Sequence, residues 1–338
     1  MSLGFTPAVE IYGANAALLN ERLLTWQHID AAGIESDQLT LTISLDGLEG
    51  LPNLGGKIGL RVGYLESGLV DKGEFVITRR TPTLFPLRLT LVATAAPFSA
   101  ADQTGFKQRR SASHGPTTLG ALFRQLTSRH GFSPRVAPEL ALIKIEHIDQ
   151  SNETDMGFLT RLAYLHDAVA KPVNELYVLA RRGQAKSLSG KVLPPVKLSV
   201  TTNNRPGDSA FISATLDETA RAKYQGCKTT WWDAAHGKVR EEQSGIAPFK
   251  TLRQRYQSAD DARAAAEGET RRMMREALKV TIGCPGHPGL SAEGVVLLDP
   301  TWPDFMRGRW SIDKVTASGD RKESYRCKVE ATCLDAKT

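Results

Sequence analysis

The first hundred residues alternate between apolar and polar side chains with the two-residue period of half-buried β-strands. The alternation is clearest over 39–46, 58–64 and 87–93. In each of these segments every second residue, starting from the first, is Leu, Ile, Val, Tyr or Ala. Pro, Asn, Ser and Gly residues between these segments supply turn chemistry. Several strands at this spacing with no helix between them are typical of an antiparallel sandwich or barrel, so we expect residues 1–98 to form a first β domain.

The pattern changes to a helical period over residues 117–183, which predicts a small α/β domain. Thr117 or Thr118 is expected to cap a helix whose apolar residues recur at three- and four-residue spacing and which ends at Gly131. An apolar run at 176–179 predicts a strand near the end of this domain.

A second helix of the α/β domain is predicted within the stretch His147–Ala168, where a polar run passes without a break into an apolar stripe. Asn152 and Thr154 can each accept a hydrogen bond from the unpaired N–H groups of a first helical turn. Asp155 stands three residues after Asn152 and can close a capping box with it. We therefore predict that Asn152, Thr154 and Asp155 are the structural cap of this helix.

Polar segments with Gly and Pro at 99–116 and 184–195 flank the α/β domain and are interpreted as linkers. Beyond the second linker the alternation returns, so we expect residues 196–338 to form a second β domain. One long helix interrupts it at about 258–277, where a Ser-x-x-Asp capping box precedes an Ala- and Arg-rich run. The predicted fold class is therefore α+β and mainly β. The strands predicted in the second β domain are 196–200, 210–216, 223–232, 278–283, 294–299, 309–316 and 324–333.

The order and spacing of several motifs resemble one known family. A Gln-x-Asn-Glu-Thr-Asp run is followed by Phe-Leu-x-x-Leu-Ala and Asp-Ala across 150–168. A Gly-Ala-Leu-Phe helix precedes the Gly-Phe-Ser-Pro turn at 131–134, and Gly-Arg-Trp stands at 308–310. Together these motifs resemble the late-control protein D family of contractile-tailed phages, over nearly the whole chain. That family is similar to the hub portion of VgrG proteins and to the baseplate hub of T-even phage.

The resemblance implies two tail-tube-like antiparallel β-barrel or sandwich domains per chain, with the α/β domain inserted between them. It further implies a homotrimer that matches a six-fold inner tube to a three-fold spike in a phage or a phage-tail-like bacteriocin (tailocin). The partners it implies are the inner tail tube protein, the tail spike, the tape-measure protein and the baseplate wedge proteins, with DNA only as passing cargo. No spike-like or lysozyme-like segment follows Ala331, so the spike is expected to be a separate chain.

Composition and the N-terminal sequence indicate where the protein is made. With 41% hydrophobic and 24% charged residues the chain is typical of folded rather than disordered proteins. The N-terminus lacks a basic region followed by an apolar run, and no eighteen apolar residues are consecutive. We therefore expect synthesis in the bacterial cytoplasm and assembly into the tail baseplate. The four cysteines form no CxxC pair and are expected to be free thiols.

The net charge of +6 is unevenly distributed, at −3 for 1–100, +3 for 101–183 and +6 for 184–338. A basic half can suit nucleic acid or an acidic protein surface. Here the basic residues are interspersed with acids, and no predicted helix clusters them as a recognition helix does. A nucleic-acid-binding late regulator is therefore the third hypothesis for function, and it predicts DNA binding that depends steeply on salt.

Candidate chemistry is sparse. No GxSxG elbow, HExxH helix, P-loop or dinucleotide fingerprint occurs, so we predict no catalytic, cofactor-binding or metal-binding residues and no enzyme. Cys284-x-x-His287 is half of a metal site without a second half. One cluster of acids and bases carries the second hypothesis, a tail-associated peptidoglycan or glycan hydrolase, although helix capping explains its carboxylates better. Its members are Glu146, His147, Asp149, Glu153 and Asp155.

Five aromatic residues of the second β domain are candidates for an interface or for the core. They could also form a stacking platform for sugars or bases, but large aromatics are more often core residues or interface anchors. These residues are Trp231, Trp232, Trp302, Phe305 and Trp310.

Overall fold

The computed structural model describes most of the chain. Residues 99–104 and 107 of the first predicted linker, and residues 184–193 of the second, lie outside the described residues. The residues it describes are 5–32, 36–48, 50–95, 105–106, 108–173, 176–181, 194–218, 224–256, 258–321 and 323–334.

The first segment contains the predicted alternating strands and one short helix. In the strand Gln38–Ser44, alternation places Leu39, Leu41 and Ile43 in the core with no exposed surface and leaves Thr40 and Thr42 partly exposed. Burial of each such apolar side chain contributes about 1.5–3 kcal/mol, so the alternation itself fixes which face of the strand meets the core. The elements are β1 (Pro7–Gly13), α1 (Ala16–Arg22), β2 (Leu23–Ala31), β3 (Gln38–Ser44), β4 (Lys57–Tyr64), β5 (Gly68–Thr83) and β6 (Arg88–Thr94).

The middle segment is an α/β unit with its own core. The helices Leu119–Arg129 and Asp155–Leu165 pack their apolar faces around Phe123, Phe158 and Tyr177, which are fully buried. The elements are β7 (Arg109–His114), β8 (Thr117–Thr118), α2 (Leu119–Arg129), β9 (Ser133–Val136), α3 (Pro138–Ala141), β10 (Lys144–Ile145), β11 (Ile148–Thr154), α4 (Asp155–Leu165), β12 (Ala168–Val173) and β13 (Leu176–Arg181).

The last segment is again rich in strands and carries the long helix. Ser258 caps that helix through its side chain, which accepts a hydrogen bond from the Asp261 N–H at 3.1 Å. The elements are β14 (Val196–Leu198), β15 (Ser213–Glu218), β16 (Gln225–Asp233), β17 (Lys238–Ile246), β18 (Phe249–Tyr256), α5 (Ala259–Glu276), β19 (Leu278–Pro285), β20 (Val295–Leu298), β21 (Gly308–Asp320) and β22 (Tyr325–Cys333).

One large sheet joins the first and last segments. Its strands follow the order β1-β4-β5-β6-β3-β2-β21-β22-β19-β15, and β14 and β20 extend it beside β21. The two segments meet where β2 pairs antiparallel with β21, with Thr25 opposite Asp320 and Ala31 opposite Lys314. A single apolar core runs from Ile11 to Ala331 and draws residues from both segments. The predicted fold class, α+β and mainly β with antiparallel sheets, is confirmed, and the division into domains at 1–98 and 196–338 stays a prediction.

Several local predictions are wrong. Ala16–Arg22 is a helix where only strands were expected, because Ala, Leu, Glu and Arg favour helix and Leu19 packs fully buried. Leu87 lies in the turn before β6 and is 40% exposed, although it continues the alternation of that strand. Strands β17 and β18 were not predicted, since their sequences alternate poorly and are largely exposed. No described helix combines the length and the apolar content that a bilayer crossing requires.

Candidate assembly surfaces

The predicted helix cap is formed by one of its three proposed residues. Thr154 precedes α4, and its Oγ1 accepts a hydrogen bond from the Gly157 N–H at 2.9 Å. Asn152 lies inside β11 with a left-handed backbone (φ 49°), and its own N–H donates to Ser111 Oγ at 3.1 Å. Because the strand continues through Thr154, Asn152 is too far from the first helical turn to cap it.

Asp155 does not close a capping box with Asn152 but forms the centre of a buried ionic cluster. Its side chain has no exposed surface, His130 Nε2 lies 2.7 Å from one carboxylate oxygen, and Gln150 Nε2 donates to the other at 2.8 Å. Arg110 and Arg129 add contacts at 3.4 and 3.5 Å. Burial favours the neutral acid, but the hydrogen bonds from Gln150 and His130 and the charge of Arg110 hold the pKa of Asp155 below its usual range. The ionised carboxylate thus ties α2, β7 and β11 to the start of α4.

The other carboxylates of the candidate acid–base cluster are held separately. Arg161 Nη2 lies 2.5 Å from Glu153 Oε1. Asp149 is exposed, and the hydrogen bond that its carboxylate accepts from Ser113 Oγ at 2.6 Å lowers its pKa, as does neighbouring His147. Asp155 is buried beneath the surface on which Asp149 lies. These groups therefore form separate ion pairs and hydrogen bonds rather than a carboxylate pair facing one cleft. All of them lie in the middle α/β segment, β7 to β13, which we call the insert.

The half-motif Cys284-x-x-His287 is part of the core and of a turn. Cys284 on β19 stands opposite Cys327 on β22, and burial raises the pKa of its thiol to about 12. His287 Nδ1 accepts a hydrogen bond from the Gly289 N–H at 3.1 Å. Within the described ranges, no three His, Cys, Asp or Glu side chains are grouped so that they could hold a metal ion. The four cysteines are free thiols.

The five candidate aromatics divide between core and surface. Trp302 and Trp310 are buried, and their indole N–H groups donate to Leu198 O at 2.8 Å and to Met306 O at 2.9 Å. Trp231 is partly buried in a small cluster with α5. Trp232 is 45% exposed and Phe305 is 61% exposed. Trp232 and Phe305 are thus the two aromatics of this set that can contact a partner.

The turn between β5 and β6 exposes a group of large apolar side chains. Leu84 and Phe85 are 86% and 95% exposed, and Leu87 follows them in the same turn, directly before β6. Arg80 and Arg88 flank the turn, and Arg80 Nη1 donates to Pro52 O at 3.0 Å. Exposed apolar residues rimmed by charge mark contact surfaces on many proteins. We call Leu84, Phe85 and Leu87 the apolar tip.

Helix α5 of the last segment docks on the insert through Asp167. This residue lies two positions after the end of α4 and is 6% exposed, and both terminal guanidinium nitrogens of Arg275 donate to its carboxylate, one of them at 2.7 Å. Arg271 adds a contact at 3.5 Å. At Gly268 the two helices come so close that an added Cβ would lie 3.0 Å from Leu165 O. A bidentate charged pair at this junction fixes the orientation of the insert on α5.

A second contact ties the insert to the large sheet. Lys171 of β12 is 4% exposed, and its Nζ donates to Ala31 O at 2.8 Å and lies 3.3 Å from Asp37 Oδ1. Burial and the nearby charge of Asp30 raise the pKa of Asp37 to about 6, against the opposing charge of Lys171. The insert is therefore held by two contacts, Lys171 at the end of β2 and Asp167 on α5.

We expect Asp167→Ala to loosen the insert from α5 while leaving the large sheet intact. Loss of the charged hydrogen bonds from Arg275 should lower the stability of this contact by roughly 2 kcal/mol. Hydrogen exchange measured by mass spectrometry should then show faster exchange in α4 and α5 but not in β21 and β22. Glu267→Ala is the matched control, because Glu267 is an exposed carboxylate that contacts Arg271 on the same helix. Equal exchange in the two variants would contradict the role of Asp167.

The fold defined by this sheet and insert is that of phage-tail proteins. The structure matches a tail protein from Neisseria meningitidis MC58 over 98% of this chain and 97% of that one, with a TM-score of 0.67 and 12% identity. It also matches an Escherichia coli component of the type VI secretion system, described as structurally similar to the T4 bacteriophage tail proteins gp27 and gp5. That match covers 93% of this chain and 74% of the other, with a TM-score of 0.54 and 12% identity.

Sequence similarity points to one class of tail protein. The chain is 34% identical over 188 residues to the "Probable baseplate hub protein" of Escherichia phage P2, a match that covers 55% of this chain and 48% of that protein. The matched segment thus spans about half the length of this relative. No protein-family model matches the chain. The chain is similar in sequence to probable baseplate hub proteins of phages, which confirms the resemblance inferred from its motifs.

Sequence reasoning missed the apolar tip, Asp167 and Lys171. The Leu-Phe-Pro-Leu run at 84–87 carried a signal, because large apolar residues beside proline in a turn are poorly placed for a core. Asp167 and Lys171 carried none, since each is defined by a partner more than a hundred residues away.

Proposed function

We propose that this chain is a structural subunit of a phage-tail baseplate hub. The observation that carries the proposal is the match to a tail protein over nearly the whole of both chains, together with the sequence similarity to a probable hub protein. Such a hub positions other proteins and does not make or break covalent bonds. Its work is to hold other tail components in register through buried surfaces, in the baseplate of a virion or of a phage-tail-like bacteriocin.

We further propose that three copies assemble around one axis. The first and last segments, 1–98 and 196–338, would each supply one tube-like unit, so that a trimer presents six similar units to an inner tube and three equivalent positions to a spike. Support comes from the way two strand-rich segments join edge to edge through β2 and β21 in one chain. The tape-measure and wedge proteins are the remaining proposed partners, and the insert at 117–183 would face outward toward neighbours.

The expected mass of the purified protein, alone or with its cognate spike, is three times the 36.9 kDa of one chain. Native mass spectrometry or light scattering after size exclusion measures it directly. A trimer supports a symmetric hub because the three-fold spike can only be matched by three equivalent surfaces. A stable monomer that binds neither spike nor inner tube would contradict the proposal.

The apolar tip offers a way to locate the assembly surface in the same experiment. Phe85→Ser removes a 95% exposed side chain and should leave the fold unchanged while weakening assembly by about tenfold. Leu142→Ser is the matched control, because Leu142 is 80% exposed on the insert, away from the large sheet. Equal assembly by both variants would exclude the apolar tip as the contact.

A further inference from the structure

We propose that a groove between α4, α5 and β18 binds an extended acidic peptide segment of a protein partner, which adds a strand to the edge of β18. The groove has a volume of about 250 Å³ and lies on the insert side of the three-stranded sheet β17-β16-β18. Peptide binding at this groove does not depend on the proposed trimer or on the apolar tip. Three features of the groove indicate the chemistry of the partner: a free strand edge, an excess of positive charge and an apolar floor.

Strand β18 is an edge of its sheet. It pairs in parallel with β16 on one side, and in the described part of the chain no strand pairs with the other side. No backbone hydrogen bond outside the sheet involves Phe249–Tyr256 within those residues either. An edge of this kind presents a row of N–H and C=O groups that an extended peptide can use.

The lining of the groove carries more positive than negative charge. Lys250 and Arg272 share one carboxylate: Lys250 Nζ lies 2.5 Å from Glu269 Oε1, and Arg272 pairs with the other oxygen. Arg161, at the α4 side, is paired with Glu153. The carboxylates of Glu269 and Glu153 thus pair with three cations, and the lining contains one further arginine.

That remaining cation is Arg253, in the middle of the edge strand. It is exposed, and no ion pair or hydrogen bond of its guanidinium occurs among the residues that the structure describes. Strand β18 also contains Lys250 and Arg255 and has no acidic residue. Like charges facing each other across paired strands are destabilising, so a second copy of β18 is a poor occupant. Arginine forks match carboxylates well, so an acidic strand is a good one.

The floor of the groove is apolar. Leu165 of α4 and Leu252 of β18 pack beside Tyr256, which is 8% exposed. Tyr164 stands at the side with its ring against the Arg272 guanidinium, 3.7 Å from the ring centroid to Cζ. Because one face of this ring is covered by Arg272, it offers little to a stacking nucleobase. Successive side chains of a strand point to opposite faces, so a peptide that alternates Glu with an apolar residue meets both the arginines and the floor.

Fluorescence anisotropy with the full chain and a labelled peptide that alternates Glu with Val tests the proposal. We expect the wild-type protein to bind the peptide, and Arg253→Glu and Arg253→Gln to bind it at least about tenfold and about threefold more weakly, respectively. Lys238→Glu is the matched control, because Lys238 is an exposed lysine on β17, the opposite edge of the same sheet. It should change the affinity by less than about twofold. Thermal melts of all variants should coincide.

Two further probes separate strand addition from simple charge attraction. A peptide of the same sequence with N-methyl groups on alternate amides keeps its charge but cannot pair, and it should bind at least about tenfold more weakly. Binding that is unaffected by N-methylation overturns strand addition. Single-stranded DNA of equal charge that binds as tightly as the peptide overturns the choice of a peptide partner, and so does a wild-type chain that binds neither.

Discussion

Replacing Asp155 with alanine is expected to lower the free energy of unfolding of the insert by about 3–5 kcal/mol. The carboxylate is fully buried and is contacted by His130, Gln150 and two arginines, so its removal takes a hydrogen-bond acceptor from buried His130 and Gln150 and removes the charge paired with the arginines. Urea unfolding followed by circular dichroism measures the loss. Hydrogen exchange in α2 and α4 shows whether it is confined to the insert.

Asp149→Ala is the control for this prediction, because Asp149 is an acid of β11, the strand that leads into α4, and its side chain is 52% exposed. It should leave the stability nearly unchanged. The acid dependence should also differ. The folded-state pKa of Asp155 lies below its usual value, so its stabilising effect is present at neutral pH and is lost as the pH falls below about 4. Similar stability of the two variants at neutral pH would show that the cluster does not hold the insert together.

The same pair of variants bears on the hydrolase hypothesis. An acid that acts in catalysis must reach its substrate, and Asp155 has no exposed side-chain surface. We expect Asp155→Ala to act through stability alone. A preparation of this variant that remains folded but loses a peptidoglycan cleavage seen in the wild type would restore that hypothesis.

The strands that the sequence predicts well are those whose two faces meet different surroundings. Over 39–43 and 325–331 every apolar residue of the alternation is buried, because each strand has one face on the shared core. Strands β17 and β18 were missed for the opposite reason. Both faces of their charged sequences are largely exposed, and α5 covers only part of their sheet. Hydrophobic periodicity reports burial, so an exposed sheet gives almost no signal.

The helix-cap prediction shows a second limit. Three of the residues 152–155 were predicted to cap the helix, and Thr154 is the one that does so. The local sequence could not show which of these residues continue the strand and which begin the helix. Nor could it show that Asp155 meets His130, which lies twenty-five residues earlier. The resemblance to a family supplied the overall fold, whereas ion pairs between distant segments required the structure.

Replacing Trp310 with alanine is expected to lower the free energy of unfolding of the large sheet by about 3–5 kcal/mol. Trp310 has no exposed surface and lies on β21 between Val296 of β20 and Cys333 of β22. Its removal leaves a cavity and also leaves Met306 O without the indole N–H that donates to it at 2.9 Å. Thermal or urea unfolding of the purified chain measures the effect.

Phe305→Ala is the matched control, since it removes a large aromatic residue five positions earlier that is 61% exposed. It should cost less than about 1 kcal/mol. The two variants separate the roles that the sequence left open for these aromatics: Trp310→Ala should lower the stability of the fold, and Phe305→Ala should fold with nearly wild-type stability. Weaker spike or tube binding by the folded Phe305→Ala variant would assign Phe305 to the hub interface. A Trp310→Ala variant as stable as the wild type would show that the packing of Trp310 between β20 and β22 is not important for the stability of the shared core.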